Sequence, residues 1–228
     1  PQISNMKFYS KIIFALIVLF ISVFWPVNNC LCRMLTIFSG VYLLTSCAIF
    51  FWTNKKKRCL LYFLGVIFLV TTIFMFRGTF SHNEQTTLAL RDNYVQELMH
   101  YEGVRYIWGG ENIWGIDCSG LPRKALRNAL VRFAFFKGDW RCLKHALKSW
   151  WFDASAEALA NGYQNYISPL DFQGTVADAP DNRLSPGNLA ITKDGKHIMV
   201  YIGKDSWISA DPLLGKVVVE NPSVSSNP

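Results

Sequence analysis

The sequence predicts an α+β domain that is preceded by three transmembrane helices. Apolar residues are concentrated before residue 78, in long runs that contain few charges. After residue 78, stretches with helical periodicity come first and alternating strand patterns come last. Helices followed by a run of antiparallel strands are typical of the α+β class, in which helices pack on a sheet.

Three nearly uncharged runs fill the first region, and we expect transmembrane helices at about 8–27, 34–52 and 59–76. The second and third runs reach the length of about 18 residues that crosses a bilayer. The first run reaches it only if it extends back to Phe8, with the Lys11 ammonium directed to the interface. The first run is also compatible with a signal-peptide core, but no small-residue cleavage site follows it. Met6 is a candidate start, in which case residues 1–5 are not native.

The basic residues around these runs predict which side of the membrane each segment faces. Lys7 and Lys11 precede the first run and four basic residues lie at 55–58, whereas Arg33 alone lies between the first two runs. By the positive-inside rule, the amino terminus and the 55–58 loop are cytoplasmic, and the chain after Arg77 is outside.

The net charge of +7 does not indicate nucleic-acid binding. Residues 1–77 contain eight Lys or Arg and no Asp or Glu, whereas residues 78–228 contain fifteen basic and sixteen acidic residues. The positive excess is therefore confined to the predicted membrane region, and we expect no nucleic-acid partner.

A cysteine lies in a stretch rich in glycine and aromatic residues, Tyr106–Leu121, that passes directly into a run with helical periodicity. We expect Cys118 to cap this helix, where unpaired backbone N–H groups and the helix dipole favour a thiolate. Cys118 is therefore a candidate nucleophile. The alternative is a small buried residue, which is what most free cysteines are.

A histidine follows a predicted β-hairpin turn. Asp194-Gly195 lies between two apolar runs, which is a strong hairpin signal. His197 opens the second strand on the same face as Met199 and Tyr201, so it could face the cysteine across a groove. Cys and His together form an acyl-transfer pair. The alternative for His197 is a solvent-exposed hairpin residue.

These residues fall within four blocks that resemble the NlpC/P60 family of papain-like cysteine peptidases. The blocks occur in the family's order and approximate spacing, and they are Tyr106-x-Trp108-Gly109-Gly110, Asp117-Cys118-Ser119-Gly120-Leu121, Pro186-Gly187-Asn188-Leu189 and His197-x-x-x-Tyr201-Ile202-Gly203. The resemblance covers roughly residues 88–220. It implies a papain-like domain, within 78–220, that hydrolyses amide bonds in the stem peptides of bacterial peptidoglycan without a cofactor or a metal. With the predicted topology, it implies a bacterial cytoplasmic membrane that carries this domain on its periplasmic or outer side.

The resemblance also implies a role for each matching residue. Cys118 would attack the carbonyl, His197 would take the thiol proton, and the Tyr106 hydroxyl would lie beside the developing oxyanion. The candidate substrate contacts are Asp117, Ser119 and Trp108. Trp108 has a competing explanation, because a tryptophan more often fills a core.

The third catalytic position departs from the family pattern. In the family a polar residue, commonly His, follows the catalytic His by twelve positions, which here falls on Ser209. Serine orients an imidazole poorly, whereas Asp211 lies on the same strand face and its carboxylate could accept the imidazole N–H. We expect Asp211 to orient His197, and the alternative is an Asp-Pro turn residue.

Between the cysteine and the histidine, an inserted segment at about 127–151 is basic and aromatic. The basic residues of this segment and its lead-in are Arg123, Lys124, Arg127, Arg132, Lys137, Arg141, Lys144 and Lys148, with Asp139 as the counter-charge within the run. Such a stretch near a membrane anchor could lie on anionic lipid headgroups or bind anionic wall polymers. The alternative is a helical flap with a solvated basic face. Residues 221–228 are expected to form a disordered tail.

Other functions stay open from the residues alone. The domain could be a non-catalytic peptidoglycan-binding module, a Cys-His acyl transferase acting on lipid or protein, or a spacer in a membrane scaffold. The six cysteines show neither a disulfide framework nor a metal-ligand spacing with histidines.

Overall fold

The computed structural model describes residues 2–53, 65–66, 84–170, 172–179 and 183–222. The chain divides into two compact units, Pro1–Thr79 and Phe80–Pro228. Each unit has its own packing.

The first unit contains two packed helices, α1 (Gln2–Phe24) and α2 (Cys30–Thr53). The Asn29 side chain accepts the Cys32 N–H at 2.9 Å and so caps the start of α2. Large apolar side chains of both helices, such as Phe14, Phe38 and Leu44, are exposed. The pair therefore presents an apolar outer surface.

The prediction of three spanning helices is only partly supported. Among the described residues, one helical stretch, Cys30–Ile49, is long and apolar enough to cross a membrane, and Tyr9–Phe24 is a shorter apolar helix. The first predicted span is helical within α1. The third predicted span, 59–76, lies outside the described residues except for positions 65 and 66.

The second unit combines helices with an antiparallel sheet, which confirms the α+β class. Its helices are α3 (Glu84–Met99), α4 (Gly120–Lys137), α5 (Trp140–Trp151) and α6 (Ala156–Ala160). A small hairpin is formed by β1 (Glu111–Asn112) and β2 (Gly115–Ile116). The main sheet has the order β3-β4-β5-β6, with strands Leu189–Ile191, Ile198–Gly203, Ser206–Asp211 and Lys216–Glu220.

Helix α4 belongs to two apolar cores. Its first half packs Leu121 and Ala125 against one face of the sheet, in a core that includes Val200, Ile208 and Ala210. Its second half packs against α5, and this second core contains Leu130, Phe133, Ala134, Cys142 and Ala146. The same helix therefore fixes both the sheet side of the domain and the α5 side.

Two arginines of α4 are buried in an ion-pair cluster rather than exposed. Arg123 and Arg127 both approach Glu111 Oε1, at 3.2 and 2.8 Å, and Arg123 also pairs with Asp153. The sequence-based grouping of these arginines with a solvated basic run is therefore wrong. The buried Glu111 carboxylate requires cations, and it lies in β1, outside that run.

Replacing Glu111 tests whether this cluster stabilises the domain. Because Glu111→Gln leaves two buried guanidinium groups with less counter-charge, we expect the free energy of unfolding to fall by about 3–5 kcal/mol. The measurement is chemical denaturation of the full chain, followed by tryptophan fluorescence. The exposed Glu102→Gln is the matched control, and an equal, small effect of both substitutions would contradict the assignment.

Candidate active site

A buried carboxylate organises the turn that precedes α4. Asp117 Oδ2 accepts the Gly109 N–H at 2.8 Å. Asp117 Oδ1 accepts the Ser119 N–H at 3.0 Å, the Gly120 N–H at 2.5 Å and the Ser119 hydroxyl at 3.0 Å. One side chain thus joins the loop before the cysteine to the first residues of the helix after it.

Two glycines allow the same loop to approach the helix start closely. A Cβ on Gly120 would collide with the carbonyl oxygen of Gly110, and a Cβ on Gly110 would lie 2.6 Å from the carbonyl oxygen of Gly115. Real Cβ atoms do not come so close to backbone atoms, so both positions require glycine. The backbone contact and the Asp117 hydrogen bonds hold the turn together.

Cys118 lies one residue before the helix cap. The N-cap of α4 is Ser119, so the expectation that Cys118 itself caps the helix is wrong. The reason is that the Asp117 carboxylate already accepts the first N–H groups of the helix. The buried Cys118 thiol donates instead to the carbonyl oxygen of Lys196 at 3.5 Å.

The surroundings of Cys118 raise its pKa. Burial is the largest cause, and the negative charge of Asp117 adds to it. The N–H groups of Ile198, Ser119 and Cys118 act in the opposite direction but do not outweigh these effects. The sequence-based expectation of a favoured thiolate is therefore wrong, because burial of the sulfur is a property of the tertiary structure.

The backbone of His197 is fixed in the hairpin that contacts the Cys118 sulfur. The Thr192 hydroxyl accepts the His197 N–H at 3.0 Å, and the Thr192 N–H donates to the His197 carbonyl oxygen at 3.0 Å. The thiol of Cys118 contacts the residue before His197, and the N–H of the residue after it faces the sulfur. The hairpin backbone on both sides of His197 therefore faces the Cys118 sulfur.

Burial lowers the pKa of the half-buried His197, and this effect exceeds the opposing effects of the Asp211, Glu220 and Asp194 carboxylates. A lowered imidazole pKa and a raised thiol pKa both favour uncharged forms.

The structure places both candidates for the third position on β5. Strand β4 pairs with β5 in the register Val200↔Ile208 and Tyr201↔Trp207. Continuing this register one for one places Asp211 opposite His197. Asp211 Oδ1 also accepts the N–H groups of Leu213 and Leu214, at 2.6 and 2.9 Å, so the predicted turn role is present as well.

Ser209 is 1% exposed and precedes Asp211 by two residues on the same strand. Among the carboxylates that raise the pKa of His197, Asp211 has the largest effect. The register therefore places Asp211, and not Ser209, opposite His197.

Tyr106 lies near the sulfur and keeps its proton. Burial, followed by the charges of Cys118 and Asp117, raises the pKa of Tyr106 to about 12. Its hydroxyl is therefore a hydrogen-bond donor at neutral pH. Trp108, in the same loop, is 80% exposed, so the alternative that it fills a core is wrong.

Asp117 and Ser119, which the sequence suggests as substrate contacts, are both buried, and their side chains bind each other and the backbone. These contacts position the turn around Cys118.

Sequence reasoning missed the residues that fix the histidine backbone. Thr192 and the Lys196 carbonyl carry no motif, and their roles follow only from the pairing across the hairpin. A threonine before an Asp-Gly turn is a weak signal that could have indicated Thr192. In the part of the chain that the structure describes, no three His, Cys, Asp or Glu side chains group as a metal site.

Comparisons with known proteins add one match. A family model described as "NlpC/P60 family" matches residues 103–226, more than half of the chain. The matched range contains Tyr106, Cys118, His197 and Asp211. A comparison with curated proteins gives no match.

Replacing Asp117 tests its positioning role. In Asp117→Asn one amide NH₂ would face a backbone N–H donor, so we expect the free energy of unfolding to fall by about 2–3 kcal/mol. The measurement is denaturation of the full chain, with the exposed Asp178→Asn as the matched control. Equal stability of the two variants would show that the carboxylate does not hold the turn.

Proposed function

Because the chain belongs to the NlpC/P60 family, we propose that it is a membrane-anchored cysteine endopeptidase that hydrolyses amide bonds in peptidoglycan stem peptides. The family consists in general of cysteine peptidases of the bacterial cell wall. The observation that carries the proposal is the contact of the Cys118 thiol with the Lys196 carbonyl, immediately before His197.

The proposed reaction starts from the uncharged pair. His197 takes the proton of Cys118 as the sulfur attacks the carbonyl carbon of a stem-peptide amide. The tetrahedral intermediate collapses, the C–N bond breaks, and the imidazolium returns the proton to the leaving amine. Water then attacks the thioester, with His197 as the base, and releases the carboxylic acid and the free thiol.

The electrostatics of the site support general-base catalysis. The lowered pKa of His197 and the raised pKa of Cys118 favour the uncharged pair, which supports transfer of the proton during the attack. The Tyr106 hydroxyl and the Cys118 N–H are the proposed donors to the oxyanion, and one such donor is worth about 3–4 kcal/mol. The Asp211 carboxylate stabilises the imidazolium that forms.

The proposed location is the outer or periplasmic side of a bacterial cytoplasmic membrane. Cys30–Ile49 meets the length and composition of a spanning helix, and the distribution of basic residues supports a cytoplasmic amino terminus. The lipid bilayer and the peptidoglycan stem peptides are then the two proposed partners.

One observation favours a second candidate, a non-catalytic peptidoglycan-binding module. The raised pKa of Cys118 makes the resting thiol a weaker nucleophile than a thiolate. This candidate requires binding of stem peptides without cleavage.

Digestion of peptidoglycan fragments separates the two candidates. We expect the full chain to release new stem-peptide fragments, detected by mass spectrometry, and Cys118→Ala to lower the rate by about 10³-fold or more because the thioester cannot form. Cys142→Ala is the matched control, since that buried cysteine lies in the core between α4 and α5. Binding of fragments without cleavage by the native chain would support the second candidate instead.

The acid limb of the pH–rate profile tests the role of Asp211. The Asp211 charge favours the protonated imidazole, so Asp211→Asn lowers the pKa of His197 further and moves the acid limb of kcat/KM to lower pH. We expect the plateau rate to fall by about tenfold or more, because the imidazolium loses a stabilising charge. Asp178→Asn is the control, and an acid limb that stays in place in Asp211→Asn would exclude the assigned role.

A further inference from the structure

The tip and outer face of the α4–α5 helical hairpin carry a surface that the proposed catalytic site does not use. Its apolar members are exposed although neighbouring residues of both helices are buried. We define the hairpin surface by its exposed residues, Phe135, Phe136, Lys137, Lys144, Leu147, Lys148 and Trp151.

Two phenylalanines protrude where α4 ends. Phe135 is 64% exposed and Phe136 is 79% exposed. The Phe135 ring meets Trp140 edge-on at 5.4 Å, and the Arg132 guanidinium lies 5.9 Å from the centre of the Phe136 ring. The rings therefore form an aromatic tip with a cation beside it, outside the core between the helices.

Helix α5 continues this surface along its length. Its buried side consists of Cys142, Ala146 and Ser149. On the opposite side of the helix, an apolar stripe with spacings of seven and four residues contains Trp140, Leu147 and Trp151, and a basic stripe directly beside it contains Arg141, Lys144 and Lys148. The helix thus has one side for the protein core, one apolar outer stripe and one basic stripe.

The charge of the hairpin is strongly positive. Residues 128–151 contain five Lys or Arg and a single acid, Asp139. Asp139 caps α5 and pairs with Arg141, so it is engaged at the helix start. Lys144 and Lys148 lie further along α5 and are exposed.

An anionic lipid surface matches both properties. Aromatic and leucine side chains bury in the boundary between headgroups and acyl chains, while lysine ammonium groups reach the lipid phosphates. A soluble polyanion would engage the lysines but would leave the exposed phenylalanine rings without a partner. Cys30–Ile49 is a second part of this chain whose composition fits a bilayer.

We propose that the hairpin surface docks on the headgroup region of an anionic lipid bilayer, with the rings of Phe135 and Phe136 inserted and Lys144 and Lys148 on phosphates. The proposal does not depend on Cys118 chemistry, so its test can fail or succeed without regard to peptidase activity.

The test is hydroxyl-radical footprinting of the full chain in lipid nanodiscs, read by mass spectrometry. One set of nanodiscs contains phosphatidylcholine alone, and the other contains phosphatidylcholine mixed with phosphatidylglycerol. We expect oxidation of Phe135, Phe136 and Trp151 to fall severalfold in the anionic nanodiscs. Trp108 and Leu213, which are 80% and 95% exposed, are internal controls whose oxidation stays unchanged.

Two variants separate charge from apolar insertion. In the double variant Lys144→Gln and Lys148→Gln, we expect the binding constant for anionic lipid to fall by about fivefold for each charge removed. The phenylalanines are then no longer protected from oxidation. The double variant Phe135→Ser and Phe136→Ser keeps the positive charge of the hairpin surface. We expect Trp151 of this variant to lose its protection from oxidation in the anionic nanodiscs. Lys204→Gln, an exposed lysine in the β4–β5 turn, is the matched control and retains full protection.

Two results would overturn the proposal. One is equal oxidation of Phe135 and Phe136 in both kinds of nanodisc. The other is protection of the hairpin surface by a soluble polyanion in neutral nanodiscs without any effect of anionic lipid, which would assign the surface to a wall polymer.

Discussion

The hydrogen bonds of the Asp117 carboxylate are the constraint on which the rest of the site depends. They tie Gly109, in the loop before the cysteine, to Ser119 and Gly120 at the start of α4. The turn between these points directs the Cys118 sulfur at the hairpin backbone beside His197. The same carboxylate contributes to the raised pKa of the thiol, so one buried charge both positions the sulfur and favours its protonated form.

Helix α4 connects the Cys118 turn to the rest of the domain. One of its ends follows the turn that holds Cys118, and the other end carries the exposed rings of Phe135 and Phe136. Between them, Arg123 and Arg127 bind Glu111 of β1, and Arg123 also binds Asp153 after α5. The inserted hairpin is therefore fastened to the loop region of the site by ion pairs, in addition to the core that it shares with α4.

The sequence predicts the features that depend on local signals. The Asp194-Gly195 turn, the periodicity of α4 and the glycine-rich loop each predict an element from adjacent residues, and the α+β class follows from their order. The features that it does not predict depend on distant segments. Burial of Cys118, which reverses the expected direction of its pKa, requires the hairpin to pack over it, and the pairing of Glu111 with Arg123 and Arg127 joins a strand to a helix.

The most direct test of this account is the pH dependence of Cys118 alkylation by iodoacetamide, followed for the Cys118 peptide by mass spectrometry of the full chain. Because burial raises the pKa of the Cys118 thiol, the rate is predicted to be low at neutral pH and to keep rising above the ordinary cysteine pKa of about 8.5. A fast rate that is already constant near neutral pH would show a thiolate–imidazolium pair and would contradict the account.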